Sequence, residues 1–249
     1  MITIDPNKIC YIFDVDGTLT EPRKQMDNSF SNELIEWMKD KQCFIATGSD
    51  YKKTKEQVPD NVLKNFKYTF CCMGNEVRNQ AGNVIKKSDF IIPGDLEAYL
   101  ENVLLWTKYP HKYGNHIEFR TGMVNFSVVG RNATMEQRLE YNKWDNINNE
   151  RERTAKVINT SFPTLEASVG GSISIDIIQK GCDKGQVVHY LKDAGATKIV
   201  FVGDKCYNNG NDYGIIRELQ NSDLAFEWYN VEGPNDTLGL IRINEVFRR

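Results

Sequence analysis

The 249-residue sequence contains no apolar run that approaches the roughly 20 residues needed to cross a bilayer. Its first residues lack the basic segment and hydrophobic stretch of a secretory signal. The six cysteines form no Cys-x-x-Cys pair, and we expect reduced core residues rather than disulfides. These absences predict a cytoplasmic protein with no membrane partner.

The sequence also has no excess of basic charge and contains few histidines. The 31 Lys and Arg residues against 34 Asp and Glu residues give a net charge of −3, which argues against nucleic acid as a partner. The three histidines, His111, His116 and His189, accompany no Ser or Cys in a recognisable motif, so a hydrolytic triad has little support. Neither G-x-x-x-x-G-K-[ST] nor G-x-G-x-x-G occurs, which argues against nucleotide binding through those loops.

Three short apolar runs, at residues 9–13, 43–46 and 199–203, predict strands of a parallel sheet. Their apolarity is continuous rather than alternating, which is typical of strands covered on both faces. Helical patterns lie between them, so we predict a doubly wound α/β fold. Ligands bind at the carboxyl ends of strands in such folds. The polar residues at these ends are Asp14, Thr47 and Asp204.

The middle of the chain has a different pattern. A helical pattern follows Pro93, residues 116–129 alternate like an antiparallel hairpin, and Thr134 opens a capping box. A further strand is predicted at residues 173–178. We therefore predict an inserted α+β domain with an antiparallel sheet and helices. The predicted division is residues 1–83 and 184–249 for the core domain and residues 84–183 for the inserted cap domain.

Two carboxylates, Asp14 and Asp16, follow the first apolar run. Alternate residues of an extended segment project to the same side, so the two side chains face one point. Such a pair can supply a nucleophile with an acid/base partner, a divalent cation site, or both. The combination suits phosphoryl transfer with Asp14 attacking phosphorus. An isolated Asp-x-Asp-Gly would more often be a turn, so the surrounding sequence must decide between a turn and a phosphoryl-transfer site.

Those surroundings resemble the four motifs of the haloacid dehalogenase superfamily of phosphotransferases. The sequence reads FDVDGTLT at residues 13–20, and polar or charged residues stand at the matching later positions. The resemblance implies that Asp14 becomes an aspartyl-phosphate and that Asp16 is the general acid/base. It also implies that Lys184 and either Thr47 or Ser49 hold the phosphoryl group. The implied cofactor is Mg²⁺, with Asp14, Asp16, Asp204 and Asp212 as candidate ligands.

The insert narrows the resemblance to eukaryotic-type phosphomannomutases. It carries FRTGMVNFSVVGR from residue 119 and GGSISIDIIQKGCDK from residue 170, while residues 208–212 lack the glycine-rich loop of that family. The resemblance implies interconversion of mannose 6-phosphate and mannose 1-phosphate, with glucose phosphates left open, through a hexose 1,6-bisphosphate that also serves as activator. The implied contacts to the sugar phosphate are Arg23, Arg120, Arg131, Arg138, Ser174 and Asp176.

Two other functions stay open from the sequence. A sugar-phosphate phosphatase of the same fold needs one phosphate pocket, whereas a mutase must also hold the far phosphate of a bisphosphorylated sugar. Arginines beside the start of a capped helix could supply that second anion site. A non-catalytic sugar-phosphate binding protein is disfavoured because both carboxylates and Lys184 are retained.

Relatives commonly dimerise through the cap, so the resemblance also implies a homodimer.

Overall fold

The computed structural model describes residues 2–208 and 210–248. The helices and strands are, in chain order, β1 (Cys10–Phe13), α1 (Asn28–Met38), β2 (Gln42–Ala46), α2 (Tyr51–Gln57), α3 (Asp60–Leu63), β3 (Tyr68–Cys71), β4 (Glu76–Asn79), β5 (Val84–Lys87), α4 (Gly94–Trp106), β6 (Ile117–Arg120), β7 (Met123–Phe126), α5 (Met135–Asn148), α6 (Glu150–Ser161), β8 (Leu165–Gly170), β9 (Ser174–Gln179), α7 (Gln186–Asp193), β10 (Lys198–Gly203), α8 (Tyr213–Gln220), β11 (Ala225–Asn230), α9 (Pro234–Ile243) and α10 (Glu245–Arg248).

The chain divides into two compact units. The smaller unit is Ser88–Gly181, and the larger comprises the chain up to Lys87 and again from Cys182. Residues 84–87, which the sequence analysis assigned to the insert, form β5 of the larger unit and pair with β4. A hairpin closed at Gly82 joins the two strands, so the backbone hydrogen bonds of β5 belong to the sheet of the larger unit.

The larger unit contains a seven-stranded sheet in the order β11-β10-β1-β2-β3-β4-β5. The strands from β11 to β3 run parallel, and β4 and β5 continue the sheet as an antiparallel hairpin. Helices connect the parallel strands, as parallel pairing requires. The predicted α/β class with a separate antiparallel cap sheet is confirmed.

Apolar cores cover both faces of this sheet. Along β1, Cys10 and Ile12 point to one face and Tyr11 and Phe13 to the other, and all four are buried. The first pair packs in a cluster with α7 and α8, and the second packs in a cluster with α1, α3 and α9. Burial on both sides explains why the strand sequences are continuously apolar rather than alternating.

The strand register brings polar residues to one edge of the sheet. The last residue of β1, Phe13, pairs with Ile45 of β2 and with Val202 of β10. Because these three strands are parallel, the residues that follow them emerge at the same carboxyl edge. The polar residues at that edge are Asp14, Thr47 and Asp204.

The smaller unit has a four-stranded antiparallel sheet in the order β6-β7-β9-β8. The predicted hairpin of residues 116–129 is confirmed as β6 and β7, and the predicted capping box at Thr134 is present at the start of α5. Val124, Phe126 and Ile175 lie on the apolar face of this sheet and share a buried core with residues of α4, α5 and α6.

The opposite face of the smaller sheet is polar. Cross-strand pairing joins Glu118 to Asn125, Asn125 to Asp176, and Asp176 to Ser168. Side chains of directly paired residues project to the same side of a sheet. We call the row Glu118, Asn125, Asp176 and Ser168 the polar face of the smaller unit.

The end of the chain packs into the core of the larger unit. Phe247 is completely buried, and its ring lies 5.5 Å from the ring of Tyr11, 5.7 Å from that of Trp37 and 5.6 Å from that of Tyr229. Trp37 Nε1 donates a 2.6 Å hydrogen bond to the Phe247 carbonyl. The C-terminal residues therefore form part of the core.

Phe247→Ala is expected to lower the free energy of unfolding by about 3–5 kcal/mol, because it leaves a cavity among aromatic rings. Urea unfolding followed by tryptophan fluorescence measures this change. Ile243→Ala, at an exposed site on α9, is the control and should change the free energy by no more than about 0.5 kcal/mol. Equal effects of the two substitutions would contradict a structural role for the C-terminus.

The described residues contain no helix that is both long and apolar enough to cross a membrane. No disulfide joins the six cysteines, and five of them are buried. Cys10 and Cys43 lie in the neighbouring central strands β1 and β2. Buried thiols at such positions pack as small apolar side chains.

Candidate active site

A fully buried lysine joins two carboxylates at the carboxyl edge of the larger sheet. Lys184 Nζ lies 2.6 Å from Asp14 Oδ1 and 2.6 Å from Asp212 Oδ1, and the lysine side chain is 0% exposed. Asp14, Asp204 and Asp212 each offer an oxygen within 4.8 Å of the other two. We call Asp14, Lys184, Asp204 and Asp212 the acidic cluster.

The acidic cluster is assembled from three separate chain segments. Asp14 continues β1, with its amide donating to the Val202 carbonyl of β10 at 3.0 Å. Lys184 lies just before α7, and Asp212 lies directly before α8. The Lys205 amide donates to Asp212 Oδ2 at 3.1 Å and so ties the loop after β10 to the cluster. Long-range packing rather than one contiguous motif creates the site.

Two glycines let the backbone approach these carboxylates. Gly17 has φ +82°, and a Cβ there would meet Asp204 Oδ2 at 2.5 Å. A Cβ on Gly203 would meet Asp212 Oδ2 at 2.5 Å. Any larger residue at either position would push a carboxylate out of place.

Burial and mutual repulsion shift the charges of the acidic cluster. Burial raises the pKa of Asp14 to about 7, with repulsion from Asp212 and Asp204 adding to the rise and Lys184 opposing it. Burial also raises the pKa of Asp204. Burial alone would lower the pKa of Lys184, but Asp14 and Asp212 raise it above its ordinary value, so this lysine stays charged.

The second strand supplies two buried hydroxyl groups. Thr47 follows β2, and its Oγ1 accepts a 3.1 Å hydrogen bond from the Ser49 amide. Main-chain hydrogen bonds fasten this turn to the neighbouring loop, with the Cys72 amide donating to the Ser49 carbonyl at 2.9 Å and the Met73 amide donating to the Thr47 carbonyl at 2.9 Å. Both hydroxyl-bearing residues, Thr47 and Ser49, therefore lie at this edge of the sheet.

Asp16 lies apart from the acidic cluster. Its Oδ1 accepts hydrogen bonds from the Arg23 amide at 2.9 Å and from Gln57 Nε2 at 2.8 Å, and its Oδ2 lies 3.5 Å from Lys53 Nζ. Burial alone would raise the pKa of Asp16, but Lys53 and these hydrogen bonds hold it below its ordinary value. Its side-chain carboxylate is not one of the three that offer oxygens within 4.8 Å of one another, although the sequence predicted Asp16 as a further metal ligand.

The smaller unit contains an arginine pair beside its polar face. Arg120 Nη2 lies 2.8 Å from Glu118 Oε2, and Arg131 Nε lies 3.1 Å from the same oxygen. Arg131 Nη1 also donates to Ser174 Oγ at 2.8 Å. One carboxylate therefore joins two guanidinium groups and brings Arg120 and Arg131 together near Ser174.

The sequence of this chain is similar to those of known proteins. A sequence model described as eukaryotic phosphomannomutase matches residues 30–249. The chain belongs to the eukaryotic phosphomannomutase family. It is 35% identical to a phosphomannomutase from Dendrobium officinale over 238 residues, covering 91% of this chain and 90% of that protein. It is 32% identical to phosphomannomutase 1 from Dictyostelium discoideum over 254 residues, covering 99% of each.

Solved structures with the same fold have lower sequence identity to this phosphomannomutase-family chain. An IMP-nucleotidase from Plasmodium falciparum with bound IMP has a TM-score of 0.62 at 15% identity, covering 94% of this chain and 66% of that one. A phosphatase of the haloalkanoate dehalogenase superfamily from Bacteroides thetaiotaomicron has a TM-score of 0.59 at 17% identity, covering 97% and 95%. These likenesses concern the fold alone.

The remaining residues implicated by the phosphomannomutase resemblance have structural partners. Arg138 is buried and donates from Nε to the Ala133 carbonyl at 2.7 Å and from Nη2 to the Arg131 carbonyl, so it supports the loop that carries Arg131. Asp176 Oδ1 accepts from Asn125 Nδ2 at 2.6 Å on the polar face. Arg23 is exposed in the larger unit and has φ +65°.

The acidic cluster suits a hard divalent cation. Its three carboxylates lie close together, and one of their oxygens, Asp204 Oδ1, is buried and has no hydrogen-bond partner among the residues described. Carboxylate oxygens are the ligands that Mg²⁺ prefers. The donor set of this phosphomannomutase-family chain therefore fits Mg²⁺. The glycine-poor loop noted in the sequence includes Asn209, which lies outside the described residues.

Sequence reasoning missed several residues that contact predicted ones. Lys53 and Gln57 contact Asp16, Lys205 Nζ lies 3.1 Å from Asp204 Oδ2, and Glu118 joins two arginines. The spacing of Lys53 and Gln57, four residues apart after the cap residue Asp50, could have indicated one helix face directed at a common partner. Glu118 and Arg120 lie two residues apart on β6, and this spacing could have indicated that both project from the same side of the strand. No local signal linked Glu118 to Arg131, which comes from the loop before α5.

Proposed function

We propose that this chain interconverts mannose 6-phosphate and mannose 1-phosphate, with an aspartyl-phosphate at Asp14 and a hexose 1,6-bisphosphate as intermediates. The observation that carries this proposal is the buried Lys184 between Asp14 and Asp212. A buried ammonium beside a nucleophilic carboxylate stabilises negative charge that develops on a transferring phosphoryl group. Membership of the phosphomannomutase family supports the choice of sugar phosphate.

In the proposed cycle, the phosphoryl group of phosphorylated Asp14 passes to the free hydroxyl of a hexose monophosphate. Asp16 accepts the hydroxyl proton as the new P–O bond forms. The bisphosphate then turns around, and the free Asp14 carboxylate attacks its other phosphorus. Asp16 returns the proton to the departing sugar oxygen. Lys184 and the hydroxyl groups of Thr47 and Ser49 hold the phosphoryl oxygens during both halves of the cycle.

Asp14, Asp204 and Asp212 would hold Mg²⁺ in the active enzyme. When bound, Mg²⁺ supplies positive charge that offsets repulsion between the carboxylates and the phosphoryl oxygens. This role is supported by the grouping of three carboxylates in one site and by the unpartnered Asp204 Oδ1.

The smaller unit is proposed to act as the substrate-specificity cap. Arg120 and Arg131 bind the phosphate that is not reacting, and Arg138 holds the Arg131 loop in place. Ser174 and Asp176 bind sugar hydroxyls from one side of β9. Arg23 contributes a further phosphate contact. This second anion site favours a mutase over the alternative phosphatase, which needs no grip on a far phosphate.

A ³¹P NMR experiment separates these functions. Wild-type protein is mixed with mannose 1-phosphate, Mg²⁺ and a trace of hexose 1,6-bisphosphate as activator. We expect the resonance of mannose 6-phosphate to grow. Removing the bisphosphate should slow the start of the reaction, and chelating Mg²⁺ should stop it. Release of inorganic phosphate without the 6-phosphate would support the phosphatase instead, and an unchanged substrate would leave only sugar-phosphate binding.

The same experiment tests the arginine pair. Arg131→Met should lower conversion about 10- to 100-fold, because hydrogen bonds to a charged phosphate are lost. The fraction of inorganic phosphate should rise, since a poorly held bisphosphate leaves before its second transfer. Arg153→Met, on the exposed surface of α6, is the matched control. Equal activity of the two variants would argue against a phosphate site at Arg131.

We further propose that the enzyme forms a homodimer through the smaller unit. Phe119, Met135 and Leu139 are exposed apolar residues of that unit, and Met135 and Leu139 lie four apart on α5. Exposed apolar side chains favour association. Sedimentation equilibrium of the full chain tests the dimer.

We also propose that the enzyme works in the cytoplasm. The absence of disulfides among six cysteines suits a reducing compartment. Fluorescence imaging of a tagged chain tests the compartment.

A further inference from the structure

Gln57 has a buried side-chain amide whose two N–H groups both donate to residues of the loop that follows β1. Nε2 donates to Asp16 Oδ1 at 2.8 Å and to Thr20 Oγ1 at 3.1 Å. The residue is 2% exposed, and its Oε1 has no partner among the described residues. Leaving a buried amide oxygen unpartnered is unfavourable. Oε1 makes no hydrogen bond to the described residues that would favour this orientation, so the two hydrogen bonds donated by Nε2 hold the amide in place.

The backbone around Gln57 holds this side chain firmly. Gln57 is the last residue of α2, whose first turn is capped by Asp50 accepting from the Lys53 amide at 2.8 Å. The Gln57 carbonyl accepts a 2.8 Å hydrogen bond from the Met26 amide. Lys53 and Gln57 lie four residues apart on α2, so both side chains extend from the same face of the helix.

The two oxygens of Asp16 have different surroundings as a result. Oδ1 accepts two short hydrogen bonds, from Gln57 Nε2 and from the Arg23 amide. Among the residues that the structure describes, Oδ2 has only the longer 3.5 Å contact with Lys53 Nζ. An oxygen that already accepts two hydrogen bonds is less available to carry a proton. Oδ2 is then the oxygen that exchanges a proton with substrate.

We propose that Gln57 is a positioning residue that fixes the Asp16 carboxylate so that Oδ2 transfers the proton to and from the sugar oxygen. The inference rests on the proposed acid/base role of Asp16. As Asp14 Oδ attacks phosphorus, the phosphorus–sugar oxygen bond breaks and the Asp16 Oδ2 proton moves to that oxygen. In the reverse direction the sugar hydroxyl gives its proton to Oδ2 while its oxygen bonds to phosphorus and the Asp14–phosphorus bond breaks.

Leaving-group chemistry distinguishes this role from a merely structural one. A sugar alkoxide is strongly basic and needs a proton as it departs, whereas acetate leaves from acetyl phosphate without one. A displaced Asp16 therefore slows cleavage of the sugar phosphate and spares the phosphorylation of Asp14 by acetyl phosphate. Damage to the phosphoryl site or to folding slows both reactions.

The test compares Gln57→Met with Gln42→Met. Gln42 is also a buried, hydrogen-bonded glutamine, but it lies at the start of β2, at the opposite end of the sheet from Thr47. Each variant is given mannose 1-phosphate with hexose bisphosphate, and separately acetyl phosphate, with Mg²⁺ in both cases. Cleavage of the sugar phosphate is counted whether it yields mannose 6-phosphate or inorganic phosphate. The product that wild type forms tests the proposed mutase function separately.

For Gln57→Met we expect kcat for sugar-phosphate cleavage to fall about 10- to 100-fold, with KM changed little. The rate of Asp14 phosphorylation by acetyl phosphate should stay within about twofold of wild type. Gln42→Met should change both rates equally or not at all. If Gln57→Met slows both reactions to the same extent, or slows neither, the positioning role is wrong.

Gln57→Asn gives a second measurement if the methionine variant is poorly folded. It keeps the amide but shortens the side chain by one carbon, so it cannot reach Asp16 Oδ1 from the same backbone position. Asp16→Asn is the reference for complete loss of proton transfer. The same selective loss in Gln57→Asn supports the proposal, and wild-type sugar-phosphate cleavage by that variant overturns it.

Discussion

Replacing Asp14 with Asn is expected to reduce sugar-phosphate turnover by more than about 10⁴-fold, because the nucleophilic carboxylate is replaced by a neutral amide. The same change should make the metal-free protein more stable at pH 8. In that protein, burial and the carboxylates of Asp204 and Asp212 raise the pKa of Asp14 to about 7. A group with a raised folded-state pKa contributes stability at low pH that is lost as the pH rises through that value. At pH 8 the ionised Asp14 is therefore unfavourable, and Asn removes the charge.

Thermal unfolding in the presence of a chelator measures this stability, and the ³¹P reaction measures the turnover. The stabilisation should shrink between pH 8 and pH 5, where the native aspartate is mostly protonated. Mg²⁺ should then raise the melting temperature of wild type more than that of Asp14→Asn, since the variant lacks one ligand. Asp223→Asn, at an exposed site, is the control and should leave turnover unchanged. Retained turnover in Asp14→Asn would exclude the aspartyl-phosphate.

Lys184→Met should both destabilise the protein and nearly abolish turnover. The substitution leaves Asp14 and Asp212 buried without their shared ammonium partner. Breaking a buried ion pair by removing one partner costs about 3–5 kcal/mol of folding free energy. Turnover should fall by about 10²- to 10³-fold, as expected when one preorganised electrostatic group is removed from a transition state.

A second substitution tests the cause of that destabilisation. If uncompensated carboxylates are responsible, adding Asp14→Asn to Lys184→Met should restore part of the lost stability without restoring turnover. Lys192→Met, on the exposed surface of the adjoining α7, should change the free energy of unfolding by no more than about 0.5 kcal/mol. Urea unfolding of the four proteins gives these differences. A double variant less stable than Lys184→Met would show that packing rather than charge makes Lys184 necessary.

Residues at the ends of the central strands were predictable because their signal is local. A continuous apolar run that stops at Asp14 or Asp204 indicates a doubly covered strand and its carboxyl end. Parallel pairing then brings those ends to one edge. Lys184 was also predictable, from its position before a helix and from the family resemblance.

Partners that come from distant parts of the chain were not predictable in this way. Gln57 reaches Asp16 across 41 positions, and Arg131 reaches Ser174 across 43. A single sequence carries no periodic or spacing signal for such pairs. The same limitation applies to the start of the insert, because the assignment of residues 84–87 depends on the pairing of β5 with β4 rather than on composition.

The amino-acid order by itself determined the fold class, the antiparallel insert, and the identity of Asp14 as the candidate nucleophile, because each depends on runs and spacings between near neighbours. Only the tertiary structure decided that Lys184 is fully buried between Asp14 and Asp212, and that Asp16 is held apart by other groups. Burial and charge pairing arise when distant segments exclude water from the same place. They are therefore properties of the folded chain.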